Sequence, residues 1–211
     1  MRYPAFARRA LLAAAVLVLA APALAARTIL VFGDSLSSAY GLSTEQGWVS
    51  LLTERLARSR PSWRVANASI SGETTAGGLS RLPADLARHK PAIVLIELGA
   101  NDALRGQPVA EMRANLQRMI VLVRRSRAQP VLVGLMIPPN YGIDYAREFR
   151  ELYPALARSE RVPLVPFLLA GIVDHDDLFQ ADRMHPTAAA QPRVLDNVWA
   201  TLEPLLAKGA P

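Results

Sequence analysis

The sequence predicts one α/β domain of three layers, with helices on both faces of a parallel sheet of about five strands, arranged in the flavodoxin-like manner. Short apolar runs alternate along the chain with longer stretches whose apolar residues recur at helical spacing. The runs are apolar at nearly every position, the pattern of strands covered on both faces. From residue 26 onward there is no repeat, no low-complexity linker and no shift in composition, so residues 26–211 read as a single domain.

The first run, 28–32, is a strand closed by Gly33. Residues 47–57 place Val49, Leu52 and Leu56 on one helix face. A second strand is expected over 64–70. The next helix is expected over 79–89, beginning after Gly77 and Gly78. That start puts Pro83 in the first turn, where a missing N–H is harmless. Residues 92–98 (AIVLIEL) are the most apolar strand. Residues 109–127 form a long amphipathic helix, with Met112, Leu116, Met119, Ile120 and Val123 on one side. A fourth strand covers 131–137, a helix bent at Pro154 covers 144–158, and a last strand covers 162–167. A helix over 187–206 closes the domain.

Residues 1–25 read as a cleavable export signal. Arg2, Arg8 and Arg9 precede the apolar run 11–21, and Ala23-Leu24-Ala25 is a small-x-small cleavage site. The apolar stretch falls short of the roughly 20 residues of a membrane span and contains Pro22. The expectation is export to the periplasm, or beyond it, with the mature chain starting near Ala26 and no stable membrane anchor after cleavage. Without the three leader arginines the formal charge falls from +6 to +3. The basic clusters Arg58-Ser59-Arg60 and Arg124-Arg125-Ser126-Arg127 are short and lack interleaved aromatics, so no nucleic-acid partner is expected. The chain has no Cys, which excludes a disulfide scaffold, a Cys-ligated zinc site, an iron–sulfur cluster and a Cys nucleophile.

Ligands of a parallel sheet bind outside the carboxyl ends of its strands. Four blocks lie in or near that rim. Gly33-Asp34-Ser35-Leu36-Ser37 follows the first strand, and the Asn67-to-Thr74 block NASISGET accompanies the second. Gly99-Ala100-Asn101-Asp102 follows the third, and Asp182-Arg183-Met184-His185-Pro186 precedes the last helix. Ser35 is the candidate nucleophile, and a hydroxyl that is protonated at neutral pH needs a base within hydrogen-bond reach. Of the three His, His185 lies in the segment able to return to the rim. Asp182, three residues earlier, can accept from the His185 ring, fixing its tautomer and supporting the imidazolium. The Ser35 N–H, the Gly72 N–H and the Asn101 side-chain amide can donate to a developing oxyanion. Each residue alone has a plainer reading. Ser35, Asn101 and Asp102 suit helix caps, Gly72 a turn, and His185 a surface position. Four blocks in order, each at its place on the rim, favour the catalytic reading.

Elsewhere the readings are structural. His89 suits a helix C-terminus, and Trp48, Trp63 and Trp199 suit packing. His175 with Asp174, Asp176 and Asp177 suits a solvated acidic loop, and no metal site is expected. No G-x-S-x-G surrounds Ser35, and no HExxH, Walker loop or GxGxxG is present.

The set GDSLS, NASISGET, GAND and DxxHP resembles the SGNH (GDSL) hydrolases, in order and spacing, across the whole chain after the leader. The segments GLSRLP, ELGANDALRG, IPPNYG, YPALA, VPLVPF and HPTAAAQP are similar to the bacterial exported arylesterase, acyl-thioesterase and lysophospholipase group of that family. The resemblance implies the SGNH hydrolase fold and a serine esterase acting on carboxylic esters and thioesters through an acyl-enzyme at Ser35. It implies Asp182 and His185 as the other catalytic residues, and Ser35, Gly72 and Asn101 as the oxyanion hole. The partner it implies is a small-molecule ester or thioester, met by a monomer without a cofactor. It also implies substrate binding by Asp34, Leu104, Ile137, Pro138 and Tyr141, with Met136 adding apolar area to an acyl groove. Two other activities stay open: a carbohydrate O-acetylesterase using the same residues, and a non-catalytic exported binding domain. Two positions depart from the family pattern. Arg183 stands where Gly is frequent, which puts the shape of the Asp182–His185 loop in question. Ala103 also replaces a frequent Gly, which implies a stiffer segment over 103–108.

Overall fold

The computed structural model describes residues 26–207, and the export signal read over 1–25 lies outside them. Five strands form one parallel sheet: β1 (Arg27–Gly33), β2 (Trp63–Asn67), β3 (Ile93–Glu97), β4 (Gln129–Val133) and β5 (Leu164–Val165). Their order is β2-β1-β3-β4-β5. Parallel neighbours need crossovers. These are carried by α1 (Trp48–Ser59), α2 (Thr75–His89), α3 (Ala100–Leu104), α4 (Val109–Arg125) and α5 (Ile143–Glu160), and α6 (Gln191–Ala207) follows β5. Helix α1 packs with α6, and α4 packs with both α2 and α5, giving a layer on each face of the sheet.

The core is the one the apolar pattern predicts. Ile29 to Phe32 and Ile93 to Ile96 are wholly buried, as are Leu52 of α1 and Met112, Leu116, Met119, Ile120 and Val123 of α4. Because β1 lies between β2 and β3, the chain leaves β1 to one side and later returns to the other. That reversal is the switch point at which such sheets open a crevice. The loops after β1, β2 and β3 meet there.

Several boundaries differ from the sequence reading. Helix α2 starts at Thr75, because the Thr74 hydroxyl caps it by accepting from the Gly77 N–H at 3.1 Å. Gly78 lies within the helix where the sheet comes so close that a side chain does not fit: a Cβ there would lie 2.5 Å from Leu98 Cδ1 and 3.2 Å from Phe32 Cε1. Pro83 therefore sits inside α2 instead of in its first turn. Strand β2 ends at Asn67, not residue 70, where the Asn67 side chain turns back to accept from the Ser69 N–H at 3.1 Å. Strand β4 ends at Val133; Gly134 still donates to the Val165 carbonyl at 2.8 Å, and 135–138 continues as irregular chain. Strand β5 is only two residues long, being flanked by Pro163 and Pro166, which have no N–H to give to a ladder.

Candidate active site

The four sequence blocks converge at the switch point. Ser35 lies in the turn that leaves β1, held by backbone bonds from the Ser37 and Ser38 N–H groups to the Asp34 carbonyl at 3.2 and 3.0 Å. The buried Trp48 secures that turn from α1, its indole N–H donating to the Leu36 carbonyl at 3.2 Å. The Ser35 hydroxyl lies 2.8 Å from His185 Nε2, and His185 Nδ1 lies 2.7 Å from Asp182 Oδ2. Both distances are within ordinary hydrogen-bond range, so the three side chains form one continuous chain from carboxylate to hydroxyl.

The loop before α6 is built around Asp182. Its Oδ1 accepts from the N–H groups of Met184 (2.9 Å) and His185 (3.0 Å), while Oδ2 faces the ring. Partial burial opposes its charge, but these two N–H groups and the His185 ring outweigh that effect and lower its pKa from 3.8 to about 2. The Tyr40 ring packs on the imidazole with centroids 4.4 Å apart. Gln180 ties the loops together: its N–H donates to the His185 carbonyl (2.8 Å), and its side-chain amide donates to the carbonyls of Tyr40 (2.9 Å) and Pro186 (3.1 Å). Arg183, the departure from the family's glycine, has φ +55°. The loop thus keeps the left-handed turn a glycine favours, at a steric cost of roughly 1–2 kcal/mol for a side chain.

The oxyanion candidates stand around the serine. The N–H groups of Ser35 and Gly72 have no protein acceptor among the described residues. Gly72 has φ +79°, and a Cβ there would meet only Arg105 Nη2 at 4.0 Å, so backbone conformation rather than crowding calls for glycine. Its carbonyl accepts from Arg105 at 3.1 Å. Behind it, Glu73 pairs with Arg81 at 2.6 Å, and the Arg81 guanidinium lies 3.9 Å over the Phe32 ring. The hydroxyls of Ser71 and Ser38 are 2.8 Å apart, joining the Gly72 loop to the Ser35 turn. Asn101 stands in α3 and donates one amide N–H to Asp34 Oδ2 at 2.9 Å, leaving the other available.

Two substrate-binding expectations are corrected by burial. Asp34 is 1% exposed, and its oxygens accept from the Leu36 N–H (3.0 Å) and from Asn101, so it lies beneath Asn101 and not against a ligand. Burial pushes its carboxyl up to about 6, against the lowering effects of the Leu36 N–H, His185 and Asn101. Ile137 belongs to the core, while its neighbour Met136 is exposed. Leu104 is half-buried at the end of α3, and Pro138 and Tyr141 are exposed on the segment after β4. Asp102 also changes role: it accepts from the Thr75 N–H (2.8 Å) and hydroxyl (2.5 Å), capping α2 and not the helix that follows it. Ala103 is fully buried inside α3.

Three residues near the site escaped the sequence reading: Tyr40, Gln180 and Glu97. Only Glu97 left a visible trace, as the one charged residue in an otherwise apolar strand.

A parallel sheet with a carboxylate–imidazole–hydroxyl chain at its switch point, beside free N–H donors, defines a hydrolase of the acyl-transfer class. The comparisons with known proteins agree. The sequence model of the GDSL-like Lipase/Acylhydrolase family matches residues 31–192. Esterase TesA of Pseudomonas aeruginosa is 53% identical over 190 residues, which cover 90% of this chain and 94% of that protein. Thioesterase 1/protease 1/lysophospholipase L1 of Escherichia coli (strain K12) is 41% identical over 184 residues, 87% of each chain. The crystal structure of TesA superposes with a TM-score of 0.82 at 53% identity, covering 85% of this chain and 99% of that one. The chain belongs to the GDSL-like lipase/acylhydrolase family and is an ester-hydrolysing serine hydrolase. Its substrates are small-molecule esters, and no described helix is long and apolar enough to cross a membrane.

Proposed function

We propose that Ser35 is the nucleophile of this hydrolase, with His185 as general base and Asp182 as the group that orients it. The observation that carries the reading is the chain of two short contacts, 2.7 Å from Asp182 to His185 and 2.8 Å from His185 to Ser35. Asp182 holds the proton on Nδ1, which leaves Nε2 free to take the hydroxyl proton as Oγ attacks the carbonyl. The N–H groups of Ser35 and Gly72 and the second N–H of Asn101 receive the charge that develops on the carbonyl oxygen. His185 then gives its proton to the leaving group. Water, activated by the same base, cleaves the acyl-enzyme. The balance is one ester bond and one water consumed, one acid and one alcohol or thiol released.

The substrates we propose are aryl esters, acyl thioesters and lysophospholipids. What supports this is the exposed apolar surface of Met136 and Tyr141 on the segment after β4, together with the name carried by the relative from Escherichia coli. We further propose that the protein works as a monomer in the periplasm, after cleavage before Ala26. The leader composition supports export.

The test is labelling by a fluorophosphonate, followed by a chain-length series on one leaving group. Labelling is expected in the wild type and absent in Ser35→Ala with its fold intact. Labelling that persists in Ser35→Ala refutes the nucleophile. An apolar groove makes kcat/KM rise with each added CH₂, by up to about 0.8 kcal/mol of binding. A preference for acetyl esters of sugars over octanoyl and aryl esters refutes the substrate class and leaves the nucleophile standing.

A further inference from the structure

Glu97, the last residue of β3, takes no part in the steps above, yet it is wholly buried directly behind the Ser35 turn. Its Oε2 accepts from the Asp34 N–H at 3.2 Å and from the Ser37 hydroxyl at 2.7 Å. Its Oε1 is buried and has no donor among the described residues. The carboxyl of Asp34 is also buried, and each of the two acids acts on the charge of the other. Two ionised carboxylates held together out of water are very costly, and an orphaned anionic oxygen adds to that cost. One proton shared by the pair removes one charge and turns the orphan acceptor into a donor.

The surroundings decide where that proton resides. Asp34 already accepts from the Leu36 N–H and the Asn101 amide, and His185 faces it with a ring that becomes cationic during the reaction. Glu97 faces the Asp34 charge and no cation; its burial and that charge raise its pKa well above 4.5. The other titratable groups nearby are Tyr153, whose buried hydroxyl is spent on the Leu98 carbonyl at 3.0 Å, and Asp102, which is spent on Thr75.

We propose that Glu97 works as a neutral acid whose Oε1–H donates to Asp34, and that it is a positioning residue for the oxyanion donor Asn101. Glu97 fixes Asp34, Asp34 holds one N–H of Asn101, and the amide's second N–H is thereby aimed at the reacting carbonyl. The single negative charge left on Asp34 also favours the imidazolium of His185. This rests on the reading of Asn101 as an oxyanion donor.

Glu97→Gln reproduces the bonding of a neutral acid, since its carbonyl oxygen accepts from Asp34 and Ser37 while its amide N–H replaces the acid O–H. It is expected to keep kcat within about threefold of wild type. Glu97→Leu keeps the bulk and loses the bonds, and kcat is expected to fall roughly 10–100-fold with little change in KM, less than full removal of a donor costs. The wild-type rate falls in alkali as Glu97 ionises, and Glu97→Gln lacks that fall. Infrared difference spectroscopy at pH 8 supplies an arm that needs no substrate: the wild type shows the C=O stretch of a protonated carboxylic acid, shifted in heavy water, and Glu97→Gln lacks it. No such band in the wild type, or Glu97→Gln folded yet slower than tenfold below wild type, overturns the assignment. If Glu97→Leu does not fold, the band and Glu97→Gln decide. A band present while Asn101→Ala is fully active sinks the oxyanion reading and leaves the protonation of Glu97 intact.

Discussion

Replacing Asp182 by asparagine separates two tasks that the carboxylate performs at once. Oδ1 holds the loop through the Met184 and His185 N–H groups, and Oδ2 meets the imidazole at 2.7 Å. In Asp182→Asn the amide oxygen can keep both backbone bonds while its NH₂ faces Nδ1. That contact favours the ring with its proton on Nε2, where it cannot take one from Ser35. The loop therefore stays in place and the base is disabled. Loss of the correct tautomer in a triad costs about 10⁴ in kcat, or roughly 5.5 kcal/mol of barrier. Steady-state hydrolysis of a chromogenic ester above the imidazole range measures it, and thermal melting checks that the loop and fold persist. KM is expected to change little, because Asp182 is not placed against the substrate. Activity within tenfold of wild type would refute the reasoning, since an imidazole that works in either tautomer has no need of Asp182.

Further predictions test other parts of the site and fold. Asn101→Ala removes an oxyanion donor and one partner of the buried Asp34, so kcat is expected to fall about 10²–10³-fold and stability by about 1.5–3 kcal/mol; unchanged kcat in a single-turnover assay counts against it. Asp182 has a depressed pKa, so its stabilisation is present above about pH 4 and is lost as pH falls through about 2. Its side chain is a third exposed, so solvent screening limits that contribution to about 1 kcal/mol. Denaturant unfolding of wild type and Asp182→Ala at pH 5 and pH 2 is expected to show the gap between them closing in acid. Gly134→Ala drives a Cβ to 2.3 Å from the Pro166 carbonyl oxygen, which is backbone and cannot rotate away. It is expected to cost about 1–3 kcal/mol, and a melting point equal to wild type refutes that contact.

Much of this site was legible because its chemistry is carried by short local blocks at the ends of apolar runs. The Asp182–His185 contact spans three residues, and Ser35, Gly72 and Asn101 each lie within a few residues of a strand end, where the topology rule places ligands. What stayed hidden depends on partners distant in the chain. The start of α2 is set by the Thr74 cap and by the bonds of Thr75 to Asp102, 27 residues away, which helical spacing does not reveal. Glu97 reads as one flaw in an apolar strand until Asp34 and Ser37, some 60 residues away, are seen to meet it. Asp34 has the polarity of a ligand contact, and only its burial shows that it supports Asn101. Tyr40 and Gln180 carry no motif, and their roles arise from one loop folding over another.

Acid and base share one short stretch of chain, and that has a mechanical consequence. If the stretch lifts from the rim, imidazole and carboxylate leave together and return already oriented, so a single displacement arms or disarms the serine. The latch on that movement is Gln180, whose side-chain amide donates to the Tyr40 carbonyl at 2.9 Å. Shortening the latch leaves each armed molecule as fast as before and lowers the fraction that is armed at any instant.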